Sequence, residues 1–175
     1  PTVTSGLTHG LSLIGDLFLN SGDTILTPDK IWGNYRLMWS VKNGATFDTF
    51  PLYNEKLGFN LKGLEDKLKE REGQKTLLVL NFPNNPTGYS PNEEEALAIR
   101  DILKNACEKG STLTVLCDDA YFGMNYEENC FPEGLFGLLC DLHQNLLAVK
   151  IDGPTKELFV WGFRVGFLTF GIKGG

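Results

Sequence analysis

The sequence predicts an α/β fold with three layers, α/β/α, in which helices cover both faces of a mostly parallel sheet. Two observations support this prediction. Segments with the helical spacing of apolar residues alternate along the chain with short strand-like segments. The runs 76–82 and 112–117 are almost continuously apolar, which is typical of strands that are covered on both faces. With 175 residues, one domain is expected.

Apolar spacing and turn residues place the individual elements. In the first helix, apolar residues recur at Leu7, Leu11 and Ile14, and the turn Ser21-Gly22-Asp23 ends it. Helices are predicted at 7–20, 30–41, 61–72, 92–109 and, as a short one, 135–142. Strands are predicted at 24–27, 45–52, 76–82, 112–117, 145–151 and 165–170.

Charge and cysteine usage disfavour several classes of protein. The formal net charge of −6 argues against non-specific binding to nucleic acid, which requires a basic surface. The four cysteines form no CxxC pair and the two histidines lie far apart, so no metal site is expected. No apolar run reaches membrane-spanning length, and no membrane partner is expected. Cys117 lies in an apolar run and is interpreted as a buried thiol, which favours the reducing cytoplasm.

Unusual residues follow three of the predicted strands. In parallel sheets, ligands bind beyond the carboxyl ends of the strands. The three segments found there are Pro83-Asn84-Asn85-Pro86-Thr87-Gly88, Asp118-Asp119-Ala120-Tyr121 and Asp152-Gly153-Pro154-Thr155-Lys156. Arg164 follows eight positions beyond the lysine, and Ser5-Gly6-Leu7-Thr8-His9-Gly10 opens the first helix. The sequence therefore predicts a ligand site that is assembled from separate loops.

These segments, together with Trp32-Gly33-Asn34, resemble the large domain of the fold-type-I enzymes that use pyridoxal 5'-phosphate (PLP). The closest likeness is to class I/II aminotransferases of the aspartate aminotransferase superfamily. The likeness spans nearly the whole chain, and the order and spacing of the segments make it specific. It implies PLP as the cofactor and a mostly parallel sheet with one antiparallel strand near the C-terminus.

The resemblance implies three catalytic residues. Lys156 would hold the cofactor as a Schiff base, which requires a primary amine, and would later carry a proton. Asp118, rather than the adjacent Asp119, would pair with the pyridinium nitrogen and keep the ring charged. Tyr121 would donate a hydrogen bond to the phenolic oxygen of the cofactor.

Further cofactor contacts follow from the same resemblance. Trp32 would stack on the cofactor ring, and Asn85 would contact the phenolic oxygen. Tyr35 is a candidate partner for the Asp118 carboxylate. The phosphate would be bound by the helix start and by one cation, namely Gly6, Leu7, Thr8 and Arg164.

The sequence departs from the family pattern at two phosphate-binding positions. Many relatives carry a hydroxyl residue three positions before the lysine, where this chain has Gly153. Thr155 is a candidate replacement for that lost contact. Leu7 stands where relatives often have a small residue, so only its backbone could serve the phosphate.

The function implied by the resemblance is transfer of an amino group between an amino acid and a 2-oxo acid. Two alternatives stay open on the same scaffold: a C–S lyase or related eliminase, and a non-catalytic PLP-binding regulatory domain. A winged-helix segment upstream of Pro1 would favour the regulatory domain, and the chain itself contains none. A dinucleotide-binding oxidoreductase is disfavoured, because no G-x-G-x-x-G motif follows the first strand.

We expect the chain to be a fragment of a longer protein. It begins at Pro1 without a methionine and ends at Gly175 soon after a strand-like segment. By the resemblance, residues 1–175 form the PLP-binding large domain, while an N-terminal segment and a C-terminal small domain lie outside the chain. The family pattern also implies a homodimer. The isolated chain is therefore expected to be weakly active or inactive.

Overall fold

The computed structural model describes residues 1–175 as one seven-stranded sheet with helices on both faces. The strands, in chain order, are β1 (Thr2–Thr4), β2 (Thr24–Pro28), β3 (Thr46–Phe50), β4 (Lys75–Asn81), β5 (Thr112–Asp118), β6 (Leu146–Asp152) and β7 (Gly166–Gly171). Their order across the sheet is β1-β7-β6-β5-β4-β2-β3. β7 runs antiparallel to β1 and β6, and the other neighbouring strands are parallel. The predicted fold class is confirmed, including the antiparallel strand.

Most helices lie where the sequence predicts them. The α-helices are α1 (Leu7–Phe18), α2 (Leu61–Glu70), α3 (Glu93–Glu108) and α4 (Phe136–Leu139). A π-helix spans Arg36–Lys42 and a single 3-10 turn spans Trp161–Phe163. α3 begins with a capping box, in which the Asn92 side chain accepts from the Glu95 N–H at 2.8 Å and the Glu95 carboxylate accepts from the Asn92 N–H at 3.0 Å. These bonds fix the start of α3.

Two apolar cores on opposite faces of the sheet hold the three layers together. On one face, α2, α3 and α4 pack on the sheet through Leu64, Ile99 and Leu139. On the other face, α1 and the π-helix contribute Leu11 and Trp39. All five side chains are almost fully buried. Burying one large apolar side chain contributes about 1.5–3 kcal/mol. Burial of many such side chains on each face of the sheet therefore holds the helices against it.

The helix predicted at 30–41 is wrong in both its start and its type. Residues 30–33 are not helical, and the regular segment is the π-helix. The Tyr35 and Trp39 rings stack with centroids 4.9 Å apart, and the Trp39 indole N–H donates to the Leu11 carbonyl oxygen at 3.0 Å. Apolar spacing predicts a helix in general, but it does not separate π-helical from α-helical turns.

Two short elements also differ from the sequence predictions. β1 was not predicted, because its three residues are too few to show an alternating pattern. The short helix predicted at 135–142 is reduced to the single turn of α4.

The carboxyl ends of β4, β5 and β6 lie side by side at one edge of the sheet. Asn81 of β4 pairs with Asp118 of β5, which pairs in turn with Ile151 of β6. The loops that leave these three strands therefore start next to one another. This register brings segments distant in sequence to one place.

None of the helices combines the length and the apolar character that crossing a lipid bilayer requires.

Candidate active site

A cleft with a volume of about 140 Å³ opens at the carboxyl edge of the sheet, beside the start of α1. Nearly all of the predicted site residues line it: Leu7, Thr8, Trp32, Asn85, Asp118, Tyr121, Lys156 and Arg164. Gly6 contacts the guanidinium of Arg164, which is one of the lining residues. The loops that sequence analysis singled out therefore converge on one cleft.

Asp118 is a buried carboxylate at the floor of the cleft, with 3% of its surface exposed. One carboxylate oxygen, Oδ2, accepts a hydrogen bond from the Tyr35 hydroxyl, and Oδ1 accepts from the Ala120 N–H at 3.1 Å. The Asn81 side-chain amide donates to the Asp118 carbonyl oxygen at 2.8 Å. The Tyr35 hydroxyl and the Ala120 N–H therefore orient the carboxylate, while Asn81 of β4 holds the main chain of Asp118 in place.

The surroundings of Asp118 act on its pKa in opposite directions. Burial raises the pKa of Asp118, whereas the Tyr35 hydrogen bond, the Ala120 N–H and the charge of Lys156 lower it, with burial prevailing. Burial and the Asp118 charge raise the pKa of Tyr35, so the phenol keeps its proton and serves as the donor. A cation that enters the cleft next to Asp118 would relieve the cost of burying its charge.

The adjacent acid, Asp119, belongs to the other face of the sheet. Successive side chains of a strand point to opposite faces. Asp118 lines the cleft, whereas the Asp119 carboxylate lies 3.3 Å from the Lys150 ammonium and is not among the cleft-lining groups. The geometry therefore favours Asp118 over Asp119 as the carboxylate that faces a ligand.

The amine, phenol and amide that sequence analysis predicted lie close together on one wall. The Lys156 Nζ atom lies 5.6 Å from the centroid of the Tyr121 ring. The Asn85 side-chain amide donates to the Tyr121 hydroxyl oxygen at 3.4 Å. The Asn85 N–H donates to the Asn81 side-chain oxygen at 2.8 Å, which fixes the loop after β4. Trp32 lines the cleft with its ring edge-on to Tyr35, the centroids being 5.6 Å apart.

The start of α1 is built as a place for an anion. The helix has no side-chain cap and no acidic residue in its first turn, so the N–H groups of its first residues, Leu7 and Thr8, are free for a ligand. The Gly6 N–H, which was also expected to serve the phosphate, instead donates to the Thr4 carbonyl oxygen at 2.9 Å. Gly6 has a φ of +79°, and a Cβ atom added there would lie 2.5 Å from Arg164 Nη2. Only glycine lets the guanidinium lie against the helix start. Free N–H groups and a planar cation thus meet at one end of the cleft.

The two departures from the family pattern, Gly153 and Leu7, lie next to each other in the structure. A Cβ atom added at Gly153 would lie 2.8 Å from the Leu7 Cδ1 atom and 2.8 Å from the Val165 carbonyl oxygen. The Leu7 side chain therefore fills the space that a side chain at 153 would need. Thr155, the hydroxyl residue of the loop that follows Gly153, is buried and lines the cleft.

Asn81 is a structural residue of the site that was not predicted from the sequence. It ends β4, accepts from the Asn85 N–H and donates to the Asp118 carbonyl oxygen, so it ties two of the site loops together. A polar residue at the end of the otherwise apolar run 76–82 was the available signal.

The groups in the cleft fit PLP in their chemistry. An aldehyde requires a primary amine, a protonated ring nitrogen requires a buried carboxylate, and a phosphate requires free N–H groups with a cation. Lys156, Asp118 and the α1 start with Arg164 supply these groups in the same cleft. The residues of this cleft are therefore of the kinds that could hold PLP.

The chain belongs to the family described as aminotransferase class I and II, whose model matches residues 1–170. A probable aspartate/prephenate aminotransferase from Rickettsia conorii is 30% identical over 165 residues, which cover 91% of this chain and 38% of that protein. An aspartate aminotransferase from Sulfolobus acidocaldarius is 26% identical over 168 residues, which cover 95% of this chain and 39% of that protein.

Solved structures show the same fold. An aminotransferase from Anaerococcus prevotii superimposes with a TM-score of 0.86 at 26% identity, covering 99% of this chain and 42% of that one. Histidinol-phosphate aminotransferase from Sinorhizobium meliloti, in complex with pyridoxal-5'-phosphate, has a TM-score of 0.72 at 19% identity over 98% of this chain and 42% of that one. The second likeness concerns the fold alone. The chain spans about 38–39% of the length of the curated relatives named above.

Proposed function

We propose that the protein containing this chain is a PLP-dependent aminotransferase, which moves an amino group between an amino acid and a 2-oxo acid. The observation that carries the proposal is the convergence of Lys156, Asp118 and Arg164 on one cleft at the carboxyl edge of the sheet. Membership of the aminotransferase class I and II family supports the reaction type.

Lys156 and Asp118 would act on different groups of the cofactor, the aldehyde and the ring nitrogen. When bound, the cofactor supplies an aldehyde and a ring that withdraws electrons from the reacting carbon. Lys156 would hold the cofactor through its primary amine, and the same amine, once free, would move a proton at the reacting carbon. Asp118 would hold a proton on the ring nitrogen, since an adjacent cation would stabilise its buried charge. Tyr35 and Ala120 keep that carboxylate oriented.

The remaining cleft residues bind and orient the cofactor. Tyr121 would donate to the phenolic oxygen with the help of Asn85, whose side-chain amide contacts the Tyr121 hydroxyl. Trp32, which lines the cleft, would pack on the ring face. The phosphate would be held by the N–H groups of Leu7 and Thr8, the Thr8 hydroxyl and the Arg164 guanidinium, and Gly6 leaves the space in which that guanidinium lies.

We further propose that residues 1–175 are the large domain of a homodimeric enzyme that works in the cytoplasm. The share of the relatives that this chain spans supports a further N-terminal segment and a C-terminal small domain. Burial of Cys107 and Cys117 as free thiols is consistent with a reducing compartment. Because substrate-binding parts would lie outside the chain, the isolated domain would have little or no activity.

A half-reaction screen tests the proposed reaction. The protein containing this chain is loaded with PLP, and each amino acid is added singly while the visible absorbance of the cofactor is followed. We expect one or a few amino acids to convert the cofactor from its aldehyde to its amine form, with release of the matching 2-oxo acid. A 2-oxo acid then restores the aldehyde form.

The same screen separates the alternatives. A C–S lyase would release a thiol, ammonia and a 2-oxo acid from a sulfur amino acid while its cofactor stays in the aldehyde form. A regulatory domain would bind PLP without turnover of any amino acid. Either result would contradict the aminotransferase proposal.

A further inference from the structure

Lys150 is an interior cation on the face of the sheet opposite the cleft. Only 19% of its side chain is exposed. Its ammonium lies 3.1 Å from the Asp152 carboxylate, 3.3 Å from the Asp119 carboxylate and 4.2 Å from the centroid of the Phe122 ring. The ammonium is thus surrounded by two acids and an aromatic face.

Asp119 and Asp152 lie at the starts of the two loops that carry Asp118 and Lys156. Asp119 directly follows Asp118, and its N–H donates to the Ile151 carbonyl oxygen at 2.9 Å. Asp152 ends β6, and its Oδ1 atom accepts from the Gly153 N–H at 2.6 Å. Gly153 is the first residue of the loop that leads to Lys156. Lys150 therefore ties the start of one loop to the start of the other.

The Asp119 carboxylate depends on Lys150 for its charge. Burial raises the pKa of Asp119 to about 7, while the Lys150 ammonium opposes that rise. The buried Oδ2 atom of Asp119 accepts no well-aligned hydrogen bond, and the Lys150 ammonium 3.3 Å away is the cation that offsets its charge. An apolar residue at 150 would leave a buried, unpaired acid between the two loops.

We propose that Lys150 is a positioning residue, which sets the spacing between Asp118 and Lys156 by clamping Asp119 to Asp152. The inference rests on the proposed function of Lys156 and Asp118. Because small displacements of reacting groups cost large factors in rate, loss of the clamp slows the capture of PLP by the Lys156 amine. It also weakens turnover through kcat more than through KM, since Lys150 does not face the cleft.

The test compares Lys150→Met with a matched control, Lys67→Met, in the protein containing this chain. Lys67 also bridges two carboxylates, Asp48 at 3.1 Å and Glu70 at 3.0 Å, and has 26% of its side chain exposed, but it lies away from the cleft. The rate of PLP capture is read from the absorbance that appears when PLP is added to cofactor-free protein. Thermal melting of the same cofactor-free samples reports stability.

We expect Lys150→Met to slow PLP capture by roughly 10–100-fold, while Lys67→Met leaves it within about twofold of wild type. Lys150→Arg keeps the cation and restores capture to within several-fold of wild type. Asp152→Asn is the second test of the clamp. It removes one ion pair while its amide oxygen can still accept from the Gly153 N–H, and it slows capture several-fold even if Lys150→Met does not fold.

Each unfavourable outcome is decisive. Capture at the wild-type rate by Lys150→Met, or by Asp152→Asn where Lys150→Met is unfolded, would refute the clamp and leave the proposed function intact. Equal slowing in Lys67→Met would show a general loss of stability and would also refute it. A wild-type protein that captures no PLP would instead refute the proposed function, and the clamp with it.

Discussion

Replacing Lys156 with alanine is expected to lower the rate of the amino-transfer half-reaction by at least about 10³-fold, because a positioned proton-transfer group alone contributes roughly 10²–10⁴-fold. The variant also loses the covalent attachment of the cofactor. The Lys156 side chain lies on the exposed wall of the cleft, and no other residue of the chain lies there with a primary amine. Single-turnover absorbance measurements on the PLP-loaded protein give the rate.

The fold should tolerate this change. Exposed substitutions away from caps and buried networks usually change stability by less than about 0.5 kcal/mol, so the melting temperature should stay close to that of the wild type. Lys104→Ala, at an exposed position on α3, is the control and should retain full activity. Substantial turnover by Lys156→Ala would contradict the role that we propose for Lys156.

Replacing Asp118 with asparagine is expected to lower the half-reaction rate by about 10²–10³-fold, the usual effect of removing one preorganised electrostatic group. Asparagine keeps the shape and can still accept from the Tyr35 hydroxyl and the Ala120 N–H, which bind Asp118 in the wild type. It carries no charge to hold the proton on the ring nitrogen. Asp101→Asn, on the exposed face of α3, is the matched control.

The same substitution should stabilise the cofactor-free protein at neutral pH. Burial raises the folded-state pKa of Asp118 above 3.8, its ordinary value, so the stability that the carboxyl contributes is present at low pH and is lost as the pH rises. Asparagine does not ionise. The advantage of Asp118→Asn in urea unfolding should therefore grow as the pH rises above 3.8. If the wild type is more stable than the variant at neutral pH, burial does not raise the pKa of Asp118 in the folded protein, and the prediction is wrong.

The order of the strands and the site loops could be predicted from sequence, because each depends on local signals. The apolar run that ends at Cys117 predicts a buried strand, and the rule that ligands bind beyond such strands points to Asp118 and Lys156. The register of β4, β5 and β6 then brings these loops to one edge of the sheet.

Other features depend on contacts between distant segments and could not be predicted in this way. The π-helix at Arg36–Lys42 forms where Trp39 packs on α1, and apolar spacing does not report that contact. Gly153 lacks room for a side chain because the Leu7 side chain and the Val165 carbonyl oxygen, both distant in sequence, occupy that space. Lys150 and Asp152 share a face of β6, but Asp119, the other acidic partner of Lys150, comes close only when β5 and β6 pair.

Borohydride reduction of the PLP-loaded protein, followed by peptide mapping, tests most directly whether Lys156 holds the cofactor. We expect a single labelled peptide that carries the reduced cofactor on Lys156, with no label in Lys156→Ala. A label on another lysine such as Lys150, or no label at all, would contradict the account.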